Sequence, residues 1–322
     1  MADFYSSHWW FRTAIPWAKK RLVDDTLTHL TKLHFDLTTE RPRTTLLEED
    51  WDILIWLDGC RFDLFNEEND IDGQLDYRYP VSIPTFNFLY DNFYNEDLSD
   101  TVYLTAHPMY TKHNLGGNFH AVIDVWQEEW NDKLCTVHPE SMANATIRAI
   151  EEFPHKRIIS HFMQPHYPFI GETAQRKLGT QIGFKPAFEK QQGNEYKKFD
   201  RQKKPVWDKL EDGEISKELV WRCYRENLEV TLPHTKSIVE KADGRTVITS
   251  DHGNMLGERA WPFPCRVYGH PEIYAEQLMK VPWLVVDKSK RRDIRSGKIR
   301  DIQPKDEEII SQRLRDFGYL DQ

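Results

Sequence analysis

A short apolar run that ends in an acid and an imidazole constrains this chain more than any other feature. Val247-Ile248-Thr249-Ser250 leads directly into Asp251-His252-Gly253. Such a run is typical of a buried parallel strand, and open α/β sheets bind ligands at the carboxyl ends of these strands. Neighbouring Asp and His side chains offer an oxygen and a nitrogen donor, which suit a divalent metal ion. The same residues also fit a strand-end turn whose Asp caps a helix.

A second run, at residues 51–57, is apolar apart from Asp52 and ends in the same way at Asp58. Because parallel strands end at the same edge of a sheet, we expect the carboxylates of Asp58 and Asp251 to lie close together. Two carboxylates buried together repel each other unless a cation lies between them. The two strand ends therefore predict a metal site that contains Asp58, Asp251 and His252.

Strand-like and helix-like segments alternate along the rest of the chain. Further strands are predicted at residues 101–106, 157–163 and 281–286. Helices are predicted at 87–97, 139–153, 216–243 and 305–317, and Pro233 is expected to kink or break the third. This alternation predicts an α/β fold, a three-layer αβα sandwich with a mostly parallel central sheet. We expect one domain at residues 46–322, preceded by an aromatic and basic arm and a helix at residues 1–45.

Five segments resemble motifs of the sulfatase branch of the alkaline phosphatase superfamily and follow the family's order. They are Leu57-Asp58-Gly59-Cys60-Arg61, Ser82-Ile83-Pro84, His161-Phe162-Met163-Gln164-Pro165-His166-Tyr167-Pro168-Phe169, Ser250-Asp251-His252-Gly253 with Gly257-Glu258, and Tyr268-Gly269-His270. The resemblance covers about residues 50–320 and implies an alkaline-phosphatase-like fold. It also implies that the nucleophile lies two residues before a proline.

That register makes Ser82 the predicted nucleophile and a fourth metal ligand, with Thr85 as a weaker rival. Phe86 stands where sulfatases carry an arginine, so the resemblance implies an unmodified serine and phosphoester chemistry. The predicted function is a metal-dependent hydrolase or transferase of phosphoesters in an anionic lipid, glycan or nucleotide. The alternatives are a sulfatase that lacks formylglycine and a non-catalytic family member that binds an anion.

The resemblance gives family positions to His166 and His270, which are predicted to be catalytic. His161 is a further catalytic candidate, with burial in the core as the alternative. Arg61 and His107 are lesser candidates, predicted to bind the substrate. Gly59 replaces the second acid of the sulfatases, so one ion of manganese, zinc or magnesium is favoured over calcium. His166 and His270 leave room for a second ion.

Residues 171–213 lack helical or strand periodicity and contain a basic cluster at residues 197–204. Lys197 and Lys198 are predicted to attract the anionic substrate, as part of a mobile lid. The alternative is a solvated loop, which is what most charge runs are.

Composition excludes several classes of protein. A net charge of -9 argues against nucleic-acid binding, and four scattered cysteines argue against a disulfide scaffold. The sequence shows neither a secretion signal nor a membrane-spanning stretch, which predicts a cytoplasmic location. Residues 1–22 combine tryptophans with basic residues, which indicates either a peripheral membrane contact or an arm packed across the domain. The oligomeric state stays open.

Overall fold

The computed structural model describes residues 15–179, 205–263, 265–288, 290–299, 309–311 and 313, and their side chains from residue 26 onward. The strands are β1 Arg43–Thr44, β2 Ile53–Leu57, β3 Gln74–Pro80, β4 Leu98–Thr105, β5 Phe119–Asp124, β6 Trp130–Asn131, β7 Thr136–Val137, β8 Arg157–Phe162, β9 Arg245–Thr249, β10 Met255–Arg259, β11 Arg266–Gly269 and β12 Val281–Asp287. The helices are α1 Ile15–Thr38, α2 Phe62–Glu68, α3 Thr85–Phe93, α4 Val125–Glu128, α5 Pro139–Glu152, α6 Glu172–Lys177, α7 Val206–Glu211, α8 Lys217–Lys241 and α9 Glu276–Met279. Lys197, Lys198, residues 1–14 and most of the predicted closing helix lie outside the described residues.

The central sheet has eight strands in the order β1-β3-β12-β9-β2-β8-β4-β5. Its strand pairs are parallel except those of β12, which is antiparallel to both β3 and β9. The adjacent strands β9, β2 and β8 lie near the middle of the sheet, and their carboxyl ends meet at the same edge. The predicted mostly parallel sheet is confirmed.

Helices cover both faces of this sheet, as alternation along β8 shows. Ser160 bonds to Thr146 of α5 (Oγ to Oγ1, 2.6 Å), while the next residue, His161, stacks on Trp56 of β2. Trp56 in turn contacts Phe88 of α3, with ring centroids 4.8 Å apart. Because successive side chains of a strand point to opposite faces, α5 and α3 lie on opposite sides of the sheet. The predicted three-layer αβα sandwich is therefore confirmed.

Several elements differ from the sequence-based expectation. Helix α8 continues through Pro233 and does not break there. Helix α3 begins at Thr85, two residues before the predicted start. The sequence analysis missed β3, β5 and the β10–β11 hairpin, whose residues combine polar and apolar side chains and lack a continuous apolar run. In the described part of the chain, no helix is long and apolar enough to cross a membrane.

The carboxyl end of the N-terminal helix α1 packs against the domain. Phe35 of α1 is buried, and its ring contacts those of Tyr79 and Tyr274. Strand β1 follows and pairs in parallel with β3, where Arg43 lies opposite Tyr79. The strand at residues 43–44 therefore belongs to the main sheet.

Candidate metal and nucleophile site

The ends of two neighbouring strands bring the predicted acidic residues together. In the β2–β9 pair Trp56 lies opposite Thr249, so Asp58 and Asp251 leave the sheet at the same edge. The ligand atoms of Asp58, Asp251 and His252 lie within 4.8 Å of one another, and all three residues are fully buried. Such a group of buried acids needs a cation or strong hydrogen-bond donors beside it.

A threonine hydroxyl lies among these three residues. Thr85 Oγ1 donates to Asp251 Oδ2 at 2.6 Å and lies 3.2 Å from His252 Nε2 and 3.5 Å from Asp58 Oδ2. Thr85 is the first residue of α3 and is fully buried. Ser82 is also buried, but its Oγ makes no hydrogen bond within the described part of the chain. The structure therefore places the Thr85 hydroxyl against the acids.

These donors fit a divalent metal ion. His252 Nδ1 lies 2.8 Å from the Gly253 carbonyl oxygen, which can only accept, so Nδ1 carries the proton and Nε2 keeps its lone pair. Asp251 Oδ2, Thr85 Oγ1 and His252 Nε2 are separated by 2.6–3.5 Å. Ligand atoms of a tetrahedral zinc site lie about 3.3 Å apart, given metal–ligand bonds of about 2 Å.

Two more imidazoles lie near His252. His166 Nδ1 donates to the Tyr167 carbonyl oxygen at 2.6 Å, and His270 Nδ1 donates to Asn254 Oδ1 at 3.2 Å. The rings of His252 and His270 stack, with centroids 4.6 Å apart, and His166 lies 4.8 Å from His270. Burial, followed by its histidine neighbours, lowers the pKa of His270, and burial also lowers the pKa of His166.

The turn after β2 is held by the segment after β9. Gly59 N donates to Asp251 Oδ1 at 3.0 Å, and Asn254 Nδ2 donates to the Gly59 carbonyl at 3.0 Å. Gly59 has a φ of +63°, and a Cβ there would lie 2.9 Å from Asn254 Nδ2. A Cβ on Gly253 would lie 2.1 Å from the Gln277 carbonyl oxygen. Both glycines are therefore required by close packing around the acids.

His107 and His161 lie behind Asp58 and are fully buried. Their Nε2 atoms lie 3.6 Å and 3.4 Å from Asp58 Oδ2, and the three residues form a second group with metal-ligand spacing. Burial, followed by His107, lowers the pKa of His161 to about 4. Burial raises the pKa of Asp58, but the charge of His166 and hydrogen bonds from His107 and His161 outweigh it and hold this pKa well below its usual range.

Arg61, predicted to bind the substrate, has its guanidinium in an internal network. It forms ion pairs with Asp63 at 2.6 Å and Glu258 at 3.1 Å, and donates to the Asn254 carbonyl at 3.0 Å. The neighbouring Cys60 is fully buried, and burial raises the pKa of its thiol well above the usual range. These contacts indicate that Arg61 ties the β2 turn to the β10 segment.

Sequence reasoning missed Asn227, a fully buried residue of α8 that holds the loop carrying His166. Its Oδ1 accepts from Ile170 N at 2.6 Å, and its Nδ2 lies 3.0–3.2 Å from three carbonyl oxygens, those of Pro165, His166 and Pro168. A buried asparagine in phase with the apolar face of a long helix was the signal that could have revealed it.

Replacing Asn227 with leucine should lower the free energy of unfolding by roughly 3 kcal/mol, because several buried backbone groups lose their partner. Urea unfolding of the full chain measures this change as a lower midpoint with an unchanged slope. The matched control is Thr231→Val, one turn further along α8, whose hydroxyl bonds to the Asn227 carbonyl of the same helix and to no other described residue. Equal losses in the two variants would contradict a special role for Asn227.

The chain resembles several solved structures. The integral membrane protein lipooligosaccharide phosphoethanolamine transferase A of Neisseria meningitidis is 14% identical, with a TM-score of 0.45 over 80% of this chain and 53% of that chain. A protein in the alkaline phosphatase superfamily from Vibrio parahaemolyticus is 10% identical, with a TM-score of 0.41 over 78% of this chain and 62% of that one. The C-terminal periplasmic domain of EcEptC from Escherichia coli, in complex with zinc, is 11% identical, with a TM-score of 0.43 over 77% of each chain.

This chain thus spans about half the length of the Neisseria transferase. No family model matches the sequence, and no curated protein matches it.

The cytoplasmic location predicted from the sequence is contradicted by this comparison. The matching structures include C-terminal periplasmic domains from Escherichia coli and Campylobacter jejuni. The sequence argument relied on the absence of a secretion signal, and such an absence does not determine the compartment of a domain.

Proposed function

We propose that this protein is a metal-dependent transferase or hydrolase of phosphoesters with Thr85 as its nucleophile. The observation that carries this proposal is the position of Thr85 Oγ1, 2.6 Å from Asp251 Oδ2 and 3.2 Å from His252 Nε2. Thr85 also opens a nine-residue helix, whose amino end favours a bound anion. The donor set and the helix end thus support the same chemistry.

Asp58, Asp251, His252 and Thr85 would hold the ion, which supplies Lewis-acid activation of the hydroxyl and neutralises charge on the phosphoryl group. In the first step, the Thr85 oxygen forms a bond to phosphorus while the bond to the leaving oxygen breaks. Asp251 Oδ2 is the acceptor nearest to the hydroxyl proton. Water or an acceptor alcohol then attacks the phosphothreonine and releases Thr85.

His166 and His270 are suited to the oxygens of the transferred group. Their Nδ1 atoms donate to protein oxygens, so the lone pair of each neutral ring is on Nε2, and both rings lie near His252. An arriving anion raises the pKa of both imidazoles, since it stabilises their charged form. A protonated Nε2 can then donate to a phosphoryl oxygen or protonate the leaving oxygen.

The nature of Thr85 favours phosphate over sulfate. A threonine carries a methyl group on Cβ, so it cannot become the formylglycine whose hydrate expels sulfate in sulfatases. Phe86, where those enzymes have an arginine, is 40% exposed, and its ring packs against His113. A sulfate ester of threonine would therefore lack the elimination route.

A screen of the zinc-reconstituted full chain should find turnover of a phosphoester and not of the matching sulfate ester. The probes are paired p-nitrophenyl esters: a phosphomonoester, a phosphodiester and the sulfate. Added glycerol divides the product between free phosphate and glycerol phosphate, which separates hydrolysis from transfer. Preference for the sulfate would contradict the proposal, and zinc binding without turnover of any ester would favour a non-catalytic anion-binding protein.

A further inference from the structure

A buried histidine pair lies directly behind the carboxylate of Asp58. His107 Nε2 and His161 Nε2 are 3.2 Å apart, and they lie 3.6 Å and 3.4 Å from Asp58 Oδ2. All three side chains are fully buried. Three acceptor atoms at these distances need at least one positive or hydrogen-bearing partner between them, and either a metal ion or a ring proton would serve.

The backbone beside His107 decides between a metal ion and a ring proton. Met109 N donates to His107 Nδ1 at 3.2 Å, so this nitrogen holds a lone pair and the ring proton is on Nε2. His107 Nε2–H then lies 3.6 Å from Asp58 Oδ2 and can donate to it. His161 Nδ1 lies 2.7 Å from the Tyr103 hydroxyl, which can donate to it and keep the His161 proton on Nε2, 3.4 Å from the same carboxylate oxygen. The backbone amide of Met109 thus fixes the His107 proton on the nitrogen that faces Asp58.

This proton position leaves His107 Nε2, the nitrogen beside Asp58, without a lone pair for a metal ion. The contrast with His252 is direct, because His252 Nδ1 donates to a carbonyl and frees Nε2 for coordination. A metal ion on His107 Nε2 would move the proton to Nδ1, against the Met109 amide. The spacing of Asp58, His107 and His161 suits a metal, but the hydrogen bonding of His107 does not.

We propose that His107 and His161 are positioning residues that orient Asp58 toward the metal ion of the proposed function, and that no second ion binds between them. A neutral imidazole beside the carboxylate compensates for lost water without cancelling the negative charge that the ion needs. His161 is itself fixed, since its ring stacks on Trp56 at 3.6 Å and 8°. This inference rests on the proposed metal site, and it assigns roles that differ from the predicted catalytic and substrate contacts.

The test measures Zn²⁺ affinity and stoichiometry of the full chain by competition with a chromophoric chelator, without substrate. His107→Leu removes the N–H beside Asp58 and should weaken zinc binding by about 10- to 100-fold. His107→Gln is the conservative variant, because its amide nitrogen can replace Nε2–H, and it should keep wild-type affinity. Tyr103→Phe removes only the hydroxyl that His161 contacts, so it should weaken binding without changing the shape of the core.

The number of bound zinc ions shows whether a second metal ion or a ring proton lies between His107 and Asp58. Wild type and His107→Gln should bind the same number of zinc ions per chain. Loss of one ion in His107→Gln would overturn the inference, since a metal would then lie where we place a proton. Unchanged affinity in both His107→Leu and Tyr103→Phe would also overturn it, while leaving the proposed function intact. A wild-type chain that binds no zinc would refute the proposed function itself.

Discussion

Replacing Thr85 with valine is expected to lower phosphoester turnover about a thousandfold or more, the usual scale for loss of a nucleophile. Valine keeps the branched shape of this fully buried residue and removes only the hydroxyl that bonds to Asp251. The loss should appear in kcat, because substrate binding by the remaining residues persists. Steady-state kinetics of the zinc-loaded protein measures it.

The matched control is Ser82→Ala, which removes the other buried hydroxyl of the same segment. Ser82 Oγ makes no hydrogen bond to the described residues, so this variant should keep most of the activity. Mass spectrometry of acid-quenched reactions should find the phosphoryl group on Thr85. Full activity of Thr85→Val, or a phosphorylated Ser82, would restore the assignment made from the sequence register.

Neutralising one buried carboxylate should have the second large effect. Asp251→Asn removes a charge that the ion needs, so we expect zinc binding and turnover to be lost together. Zinc at about a hundredfold excess over its Kd should stabilise the wild type by about 2.7 kcal/mol and the variant hardly at all. Without zinc the variant should be the more stable protein, because the repulsion between Asp58 and Asp251 is removed.

Thermal unfolding with zinc and with a chelator measures both effects in one experiment: the stabilisation of each protein by zinc, and the stability of each protein without it. The control is Asp124→Asn, which alters another carboxylate at a strand end. Asp124 accepts from Tyr110 and Trp126 at 2.8 Å and 2.7 Å and lies outside the two metal-ligand groups of the described residues. That variant should keep its response to zinc. An equal zinc-induced gain in Asp251→Asn would remove Asp251 from the metal site.

The expected pairing of Asp58 and Asp251 agrees with the structure because it depends on local patterns and on one property of parallel sheets. Each acid follows an apolar run, and the two strands pair in register. Local patterns also predicted the layers of the fold, because alternating strands and helices leave few other arrangements. Strands β3 and β5 escaped prediction because their partners in the sheet, and not their own residues, hold them in place.

The choice between Ser82 and Thr85 could not be made from the sequence. A motif register counts residues, whereas the direction of a side chain depends on where the helix starts. Helix α3 begins at Thr85, three residues beyond the position that the motif indicated. The Thr85 hydroxyl is turned toward Asp251 and bonds to it. The deciding contact joins residues 166 positions apart in the chain.

The sequence by itself determined the fold class and the two acids, because strand periodicity and the alignment of strand ends are local rules. Only the tertiary structure decided what surrounds those acids. It placed His107 and His161 behind Asp58, and it engaged Arg61 with Asp63 and Glu258. The physical reason is that hydrogen-bond direction and burial depend on atoms from distant segments. The Met109 amide that fixes the ring proton of His107 belongs to no motif.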